Sequence, residues 1–187
     1  MVYFDNAATT MMASEVKEKL NNANDNFWAN PSSLHRLGFN TEKEIKAARE
    51  SISKSLKVNA KNLFFVPSGT IANNAVLHSF DMEGKNIVLS EVEHSSSYYA
   101  SQSLKSEIRY VKVDKFGFID EEDLLLKIDE NTVLVSILHV NNEIGTINNI
   151  NKLSEISKAK NSSIFFHSDG VQAYTKIDID LDRKSVV

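Results

Sequence analysis

Four short segments carry side chains able to do chemistry, and each follows an apolar run that reads as a strand. Asp169 and Gln172 lie in Ser163-Ile164-Phe165-Phe166-His167-Ser168-Asp169-Gly170-Val171-Gln172. An apolar run this short, closed by Asp-Gly, reads as a buried parallel strand whose carboxyl end opens into a turn. A carboxylate there can pair with a protonated ring nitrogen, and Gln172 offers an amide close by. Glu93-His94 follows the run Ile87 to Leu89. Its imidazole can stack on a planar ligand or move protons near neutral pH. Asn141-Asn142-Glu143-Ile144-Gly145 follows Thr132 to Leu138 and offers amides to a phenolate or carboxylate oxygen. Ser68-Gly69-Thr70 follows Leu63 to Val66 and opens a helix. Its small residues allow close backbone approach, its free N–H groups attract a phosphate, and two hydroxyls add donors.

Taken singly, each segment also has a plainer reading. Asp-Gly and Asn-rich stretches make turns, Ser68 makes a helix cap, and a lone histidine is usually a polar loop residue. Together they carry more. Ligands of open α/β sheets sit at the carboxyl ends of strands, so parallel neighbours would turn all four sets of groups toward one crevice. A carboxylate that keeps a pyridinium charged, beside a phosphate-binding turn, is what pyridoxal phosphate (PLP) requires to act as an electron sink. Neither GxGxxG nor GxxxxGK[ST] occurs, which removes the dinucleotide fingerprint and the P-loop. His35, His78, His139 and His167 are not spaced as metal ligands, so no metal site is expected.

The elements needed to position these groups alternate along the chain. Met12, Val16 and Leu20 share a helical face. Thr41-Glu42-Lys43-Glu44 has the form of a capping box, with Ile45, Ala48, Ile52 and Leu56 following at helical spacing. Strands are expected at Leu63 to Val66, Ile87 to Leu89, Ile108 to Val113 and Thr132 to Leu138. Helices are expected at about Thr70 to Phe80, Ser95 to Leu104, after the acidic run Asp120-Glu121-Glu122-Asp123, and through Ile150, Leu153 and Ile156. Ser185-Val186-Val187 reads as the start of one more strand. The alternation implies an α/β fold, a three-layer sandwich with a mainly parallel sheet.

The chain of 187 residues is long enough for one sizeable core. It is 42% hydrophobic and 25% charged, with a net charge of −4 and no basic block, so neither nucleic acid nor membrane is an expected partner. Nothing at its start reads as a signal peptide, which favours the cytoplasm. Cysteine is absent, which excludes disulfides, thiolate metal sites and a cysteine nucleophile within these residues.

These segments, in this order, resemble the cysteine desulfurases, PLP enzymes of the class V aminotransferase family. The resemblance runs from Tyr3-Phe4-Asp5-Asn6-Ala7-Ala8-Thr9-Thr10 through Asn30-Pro31-Ser32-Ser33-Leu34-His35-Arg36-Leu37-Gly38 and Glu93-His94. It continues through His139-Val140-Asn141-Asn142-Glu143-Ile144-Gly145-Thr146 to Asp169-Gly170-Val171-Gln172, essentially the whole chain. It implies that His94 stacks on the pyridine ring and helps proton transfer. Asp169 would partner the ring nitrogen, Gln172 the phenolic oxygen, Asn142 the cofactor and the substrate carboxylate, and Gly69 and Thr70 the phosphate. It further implies L-cysteine as substrate, alanine as product and sulfur leaving as an enzyme persulfide, for iron–sulfur cluster assembly or tRNA thiolation. A homodimer and a sulfur-acceptor or scaffold protein are the implied partners.

Three departures from the family pattern shape the expectation. The family's Schiff-base lysine lies in a Ser-Gly-His-Lys-like segment that these residues do not contain, and neither Lys176 nor Lys184 matches it. There is no cysteine to carry a persulfide. The phosphate turn, Ser68-Gly69-Thr70-Ile71, is one residue shorter than the family's Ser-Gly-Ala-Thr-Glu. Residues 1–187 are therefore read as an N-terminal segment and large PLP-binding domain, truncated before the lysine and the C-terminal small domain and inactive alone. The rival readings are a non-catalytic remnant that binds PLP or a partner subunit, and another class V enzyme such as a selenocysteine lyase.

Overall fold

The computed structural model describes residues 2–179, in two units that divide between Phe64 and Phe65. The first unit holds α1 (Ser14–Asn26), α2 (Arg36–Ser55) and a 3-10 turn (Ala60–Asn62). Helix α1 buries no residue, and the expected apolar face of Val16 and Leu20 is exposed. Helix α2 begins earlier than the expected capping box. His35 is its N-cap, with Nδ1 accepting from Gly38 N, while Thr41 lies inside the helix and donates its hydroxyl to Leu37 O. The turn Asn30–Ser33 folds onto the first turn of α2, closed by Ser33 N donating to Asn30 O. A Cβ on Gly38 would stand 2.3 Å from Ser33 O, so only glycine admits this approach.

The second unit is the sheet and its helices: α3 (Gly69–Ser79), β1 (Asn86–Ser90), α4 (Ser95–Ser101), β2 (Glu107–Val111), α5 (Glu121–Lys127), β3 (Thr132–Ser136), α6 (Ile150–Lys160) and β4 (Phe165–His167). The pairings between these four strands are all parallel, in the order β2-β1-β3-β4. Successive strand side chains face opposite sides, so the sheet buries two cores. Ile87, Leu89 and Leu134 meet Leu77 of α3 and Ala100 of α4 on one side. Val88, Val111, Val135 and Phe166 meet Leu124 of α5 and Leu153 of α6 on the other. This is the expected three-layer α/β arrangement, with four strands among the described residues.

The run Leu63 to Val66 is not a strand. Leu63 is extended, but no described strand ladders with the run, and Phe64 and Val66 are exposed. A strand exists only by pairing, which an apolar run by itself does not provide. The expected strand at Ser185-Val186-Val187 falls outside the described residues, as does Lys184.

The amino end of the sheet is clamped by polar groups. Arg109 donates to Asp129 (2.7 Å) and to both oxygens of Glu107. Asn86 Nδ2 reaches Asp129 Oδ1 at 2.9 Å, and Thr132 Oγ1 donates to Asn86 Oδ1. The Arg109 hydrogen bond holds the Asp129 carboxyl well below the usual carboxylate range.

Candidate functional site

The chain leaves β1 toward β2 and leaves β3 toward β4, so its connections diverge from neighbouring strand ends. A crevice opens where they part, at the carboxyl edge. Glu93 spans it. Its Oε1 accepts from Ser90 Oγ and from Leu138 N, both at 2.7 Å, tying the end of β1 to the chain just past β3. Its Oε2 is closed from solvent and has no hydrogen-bond partner among the described residues. Burial pushes this carboxyl up to about 7, against the hydrogen bonds from Ser90 and Leu138, and the charge of Asp169 adds to the rise.

His94 caps α4. Its Nδ1 accepts from Ser96 N at 3.1 Å and lies 2.8 Å from Ser96 Oγ, while the residue stays exposed. Asp169 follows β4 and is 6% exposed. Its Oδ1 accepts from Val171 N, which shapes the turn, and its backbone oxygen accepts from His139 N. Asn73 of α3 links the two residues. One amide nitrogen donates to Ser96 Oγ at 2.9 Å and to Asp169 Oδ2 at 2.8 Å. The imidazole and the carboxylate thus stand at opposite ends of one hydrogen-bonded chain.

The start of α3 lies against the same turn. A Cβ on Gly69 would stand 3.1 Å from Val171 Cγ2. Ser68 Oγ accepts from Ile71 N and Ser68 O from Ala72 N, so the N–H groups of Gly69 and Thr70 are the open donors of this helix end. Thr70 is exposed. After β3, Asn141 is the structural amide, its Oδ1 accepting from Glu143 N and Ile144 N and its Nδ2 donating to Val92 O. Asn142 is half-buried, and its side chain is left out of that turn. Gln172 is also half-buried, and its Oε1 accepts from Lys176 Nζ. His167 is buried beside Ser136 Oγ at 2.8 Å, and burial lowers it to about 4, so it is a neutral core residue.

The structure therefore brings His94, Asp169 and the Gly69–Thr70 turn together, and the parallel order sets Asn142 and Gln172 on the same edge. Sequence reasoning missed Asn73 and Ser96. The usable signal was Asn73 itself: four residues before Leu77 on the buried face of α3, it is a polar group at a core position and so must have a partner. No group of side chains able to hold a metal ion occurs among the described residues. An acceptor-only carboxylate, an exposed imidazole and open helix N–H groups suit a phosphate-bearing aromatic cation, which is the donor set that PLP requires.

Comparison with known proteins gives this geometry a family. The family described as aminotransferase class-V matches residues 2–186. The chain is 38% identical to a cysteine desulfurase IscS of Dictyoglomus turgidum, over 99% of this chain and 48% of that protein. It is 40% identical to a NifS/IcsS protein homolog of Lactobacillus delbrueckii subsp. bulgaricus, over 94% of this chain and 47% of that protein. Among solved structures, a NifS-like protein superposes with a TM-score of 0.93 at 33% identity, covering 99% of this chain and 53% of that one. SspA in complex with cysteine superposes with a TM-score of 0.91 at 28% identity, covering 100% and 55%. The chain spans about half the length of these relatives. No helix among the described residues is long and apolar enough to cross a membrane. With the parallel sheet, the convergent edge residues and a match along nearly its whole length, this chain belongs to the class V aminotransferase family, and its resemblance is to the N-terminal half of the cysteine desulfurases.

Proposed function

We propose that this chain is the cofactor-holding part of a PLP-dependent cysteine desulfurase, acting on L-cysteine to give L-alanine with sulfur passed on as a persulfide. The observation that carries the reading is the convergence of His94, Asp169 and the Gly69–Thr70 turn at one sheet edge, two of them joined through Asn73. Bound PLP would supply an electron sink for the bonds around the substrate's α-carbon. Asp169 would hold a proton on the ring nitrogen, its two oxygens already oriented by Asn73 and Val171 N. The amides of Gly69 and Thr70 would take the phosphate. His94 would cover the ring, Asn142 would face the cofactor and the substrate carboxylate, and Gln172 the phenolic oxygen.

The absence of cysteine favours a second element of the proposal. These 187 residues bind PLP or a partner subunit but do not turn over L-cysteine by themselves, since a thiolate has to accept the sulfur. A dimeric assembly, a sulfur-acceptor or scaffold partner, a cytoplasmic setting and a role in iron–sulfur or thiolation chemistry belong to the same proposal, supported by the cysteine desulfurase names of the relatives.

PLP titration of the chain, followed by absorbance and fluorescence, tests the site. Saturable binding is expected, weakened at least about tenfold in Asp169→Asn, because a charge-assisted bond to the ring is lost. Equal affinity in the two proteins would remove Asp169 from the role. Absence of saturable binding would remove the proposal.

A further inference from the structure

We propose that Asn73 is a positioning residue that fixes which ring nitrogen of His94 carries the proton. Asp169 Oδ2 only accepts, so the side-chain group of Asn73 facing it at 2.8 Å has to be the NH2 and not the carbonyl. The second hydrogen of that nitrogen goes to Ser96 Oγ at 2.9 Å. Ser96 Oγ therefore accepts from Asn73, and its own hydrogen is directed to the remaining neighbour, His94 Nδ1, at 2.8 Å. The Ser96 backbone N–H, always a donor, points at the same nitrogen from 3.1 Å. Two donors on Nδ1 leave it no room for a proton. Neutral His94 is thus the Nε2–H tautomer, and Nε2 is the nitrogen left for a ligand.

This polarity runs one way, from the Asp169 charge through Asn73 and Ser96 to the imidazole. Asn73 and Ser96 are 3% and 8% exposed, so water does not compete for these bonds. The consequence for chemistry rests on the PLP reading given above. In the neutral state His94 meets a bound ring or substrate as a hydrogen-bond donor at Nε2, and it takes up a proton there only from the other tautomer.

The test needs no cofactor, so its outcome is separate from that of the PLP titration. In the 15N-labelled full chain, long-range proton–nitrogen spectra report the tautomer of each of the five histidines. His94→Gln identifies the His94 signals. The wild-type chain is expected to show Nε2–H with Nδ1 unprotonated. Asn73→Asp replaces the donor with an acceptor, draws the Ser96 hydroxyl away from His94 and should raise the Nδ1–H fraction about fivefold, the weight of one hydrogen bond. Asn73→Ala should raise it in the same direction if the first variant does not fold. Adding Ser96→Ala should abolish the difference, because the effect travels through that hydroxyl. A wild-type Nδ1–H form, or an unchanged tautomer in folded Asn73 variants, would overturn the inference.

Discussion

Buried His167 and half-buried Glu93, whose carboxyl is closed from solvent, work against each other near the site. His167 is lowered by burial from 6.5 to about 4, so the stability it contributes is present above pH 6.5 and is lost as pH falls through about 4. Glu93 is raised by burial from 4.5 to about 7, so its contribution is present below pH 4.5 and is lost as pH rises through about 7. Between pH 4.5 and 6.5 the two slopes oppose and flatten the profile. Glu93→Gln removes one of them. The variant should match the wild type near pH 5 and exceed it by about 2–3 kcal/mol at pH 8, since a tenfold change in proton affinity is worth about 1.4 kcal/mol. Urea denaturation at both pH values measures this, and parallel profiles would show that the Glu93 carboxyl is ionised in both states. At this scale, residue type told much and partnership little. His94 and Asp169 stood out because they follow apolar runs. Asn73 did not, because its acceptor lies 96 residues further along the chain.

The elements were legible where local chemistry is self-contained. Asp120 caps α5 by accepting from Glu122 N and Asp123 N, as the acidic run implied, and β1 and β3 stood out as apolar runs that are fully or largely buried. They were misread where tertiary contacts decide. The N-cap of α2 is an imidazole rather than a hydroxyl or carboxylate, so the Thr41 pattern drew attention to the wrong residue. The run Leu63 to Val66 has strand composition, but no described strand ladders with it. Gly38 provides a test at this scale. Gly38→Ala places a methyl 2.3 Å from Ser33 O and 2.8 Å from Asn30 O, both backbone atoms that yield only if the turn moves. It should cost about 1–3 kcal/mol in thermal unfolding, despite the higher helix propensity of alanine. A variant as stable as the wild type would show that the Asn30–Ser33 turn packs on α2 less rigidly than these distances imply.

For the molecule as a whole, the sheet among the described residues has β4 at one margin, paired on one side only, with Phe165 53% exposed beside Phe80. Unpaired, apolar strand margins promote association. Light scattering after size exclusion should show mass rising with concentration, and Phe165→Lys should suppress the rise. A monomer at all concentrations would mean that the margin is covered. The length of chain spanned by the Asn73–Asp169 bond has a further consequence, for synthesis. The ribosome releases Asn73, Ser96 and His94 long before Asp169, so a nascent chain carries the imidazole and its serine with no carboxylate to orient them. Loop-closure entropy makes such distant contacts late. The site is therefore completed only when β4 docks on β3, and a ligand that depends on Asp169 would be recruited after that step rather than serve as a scaffold for it.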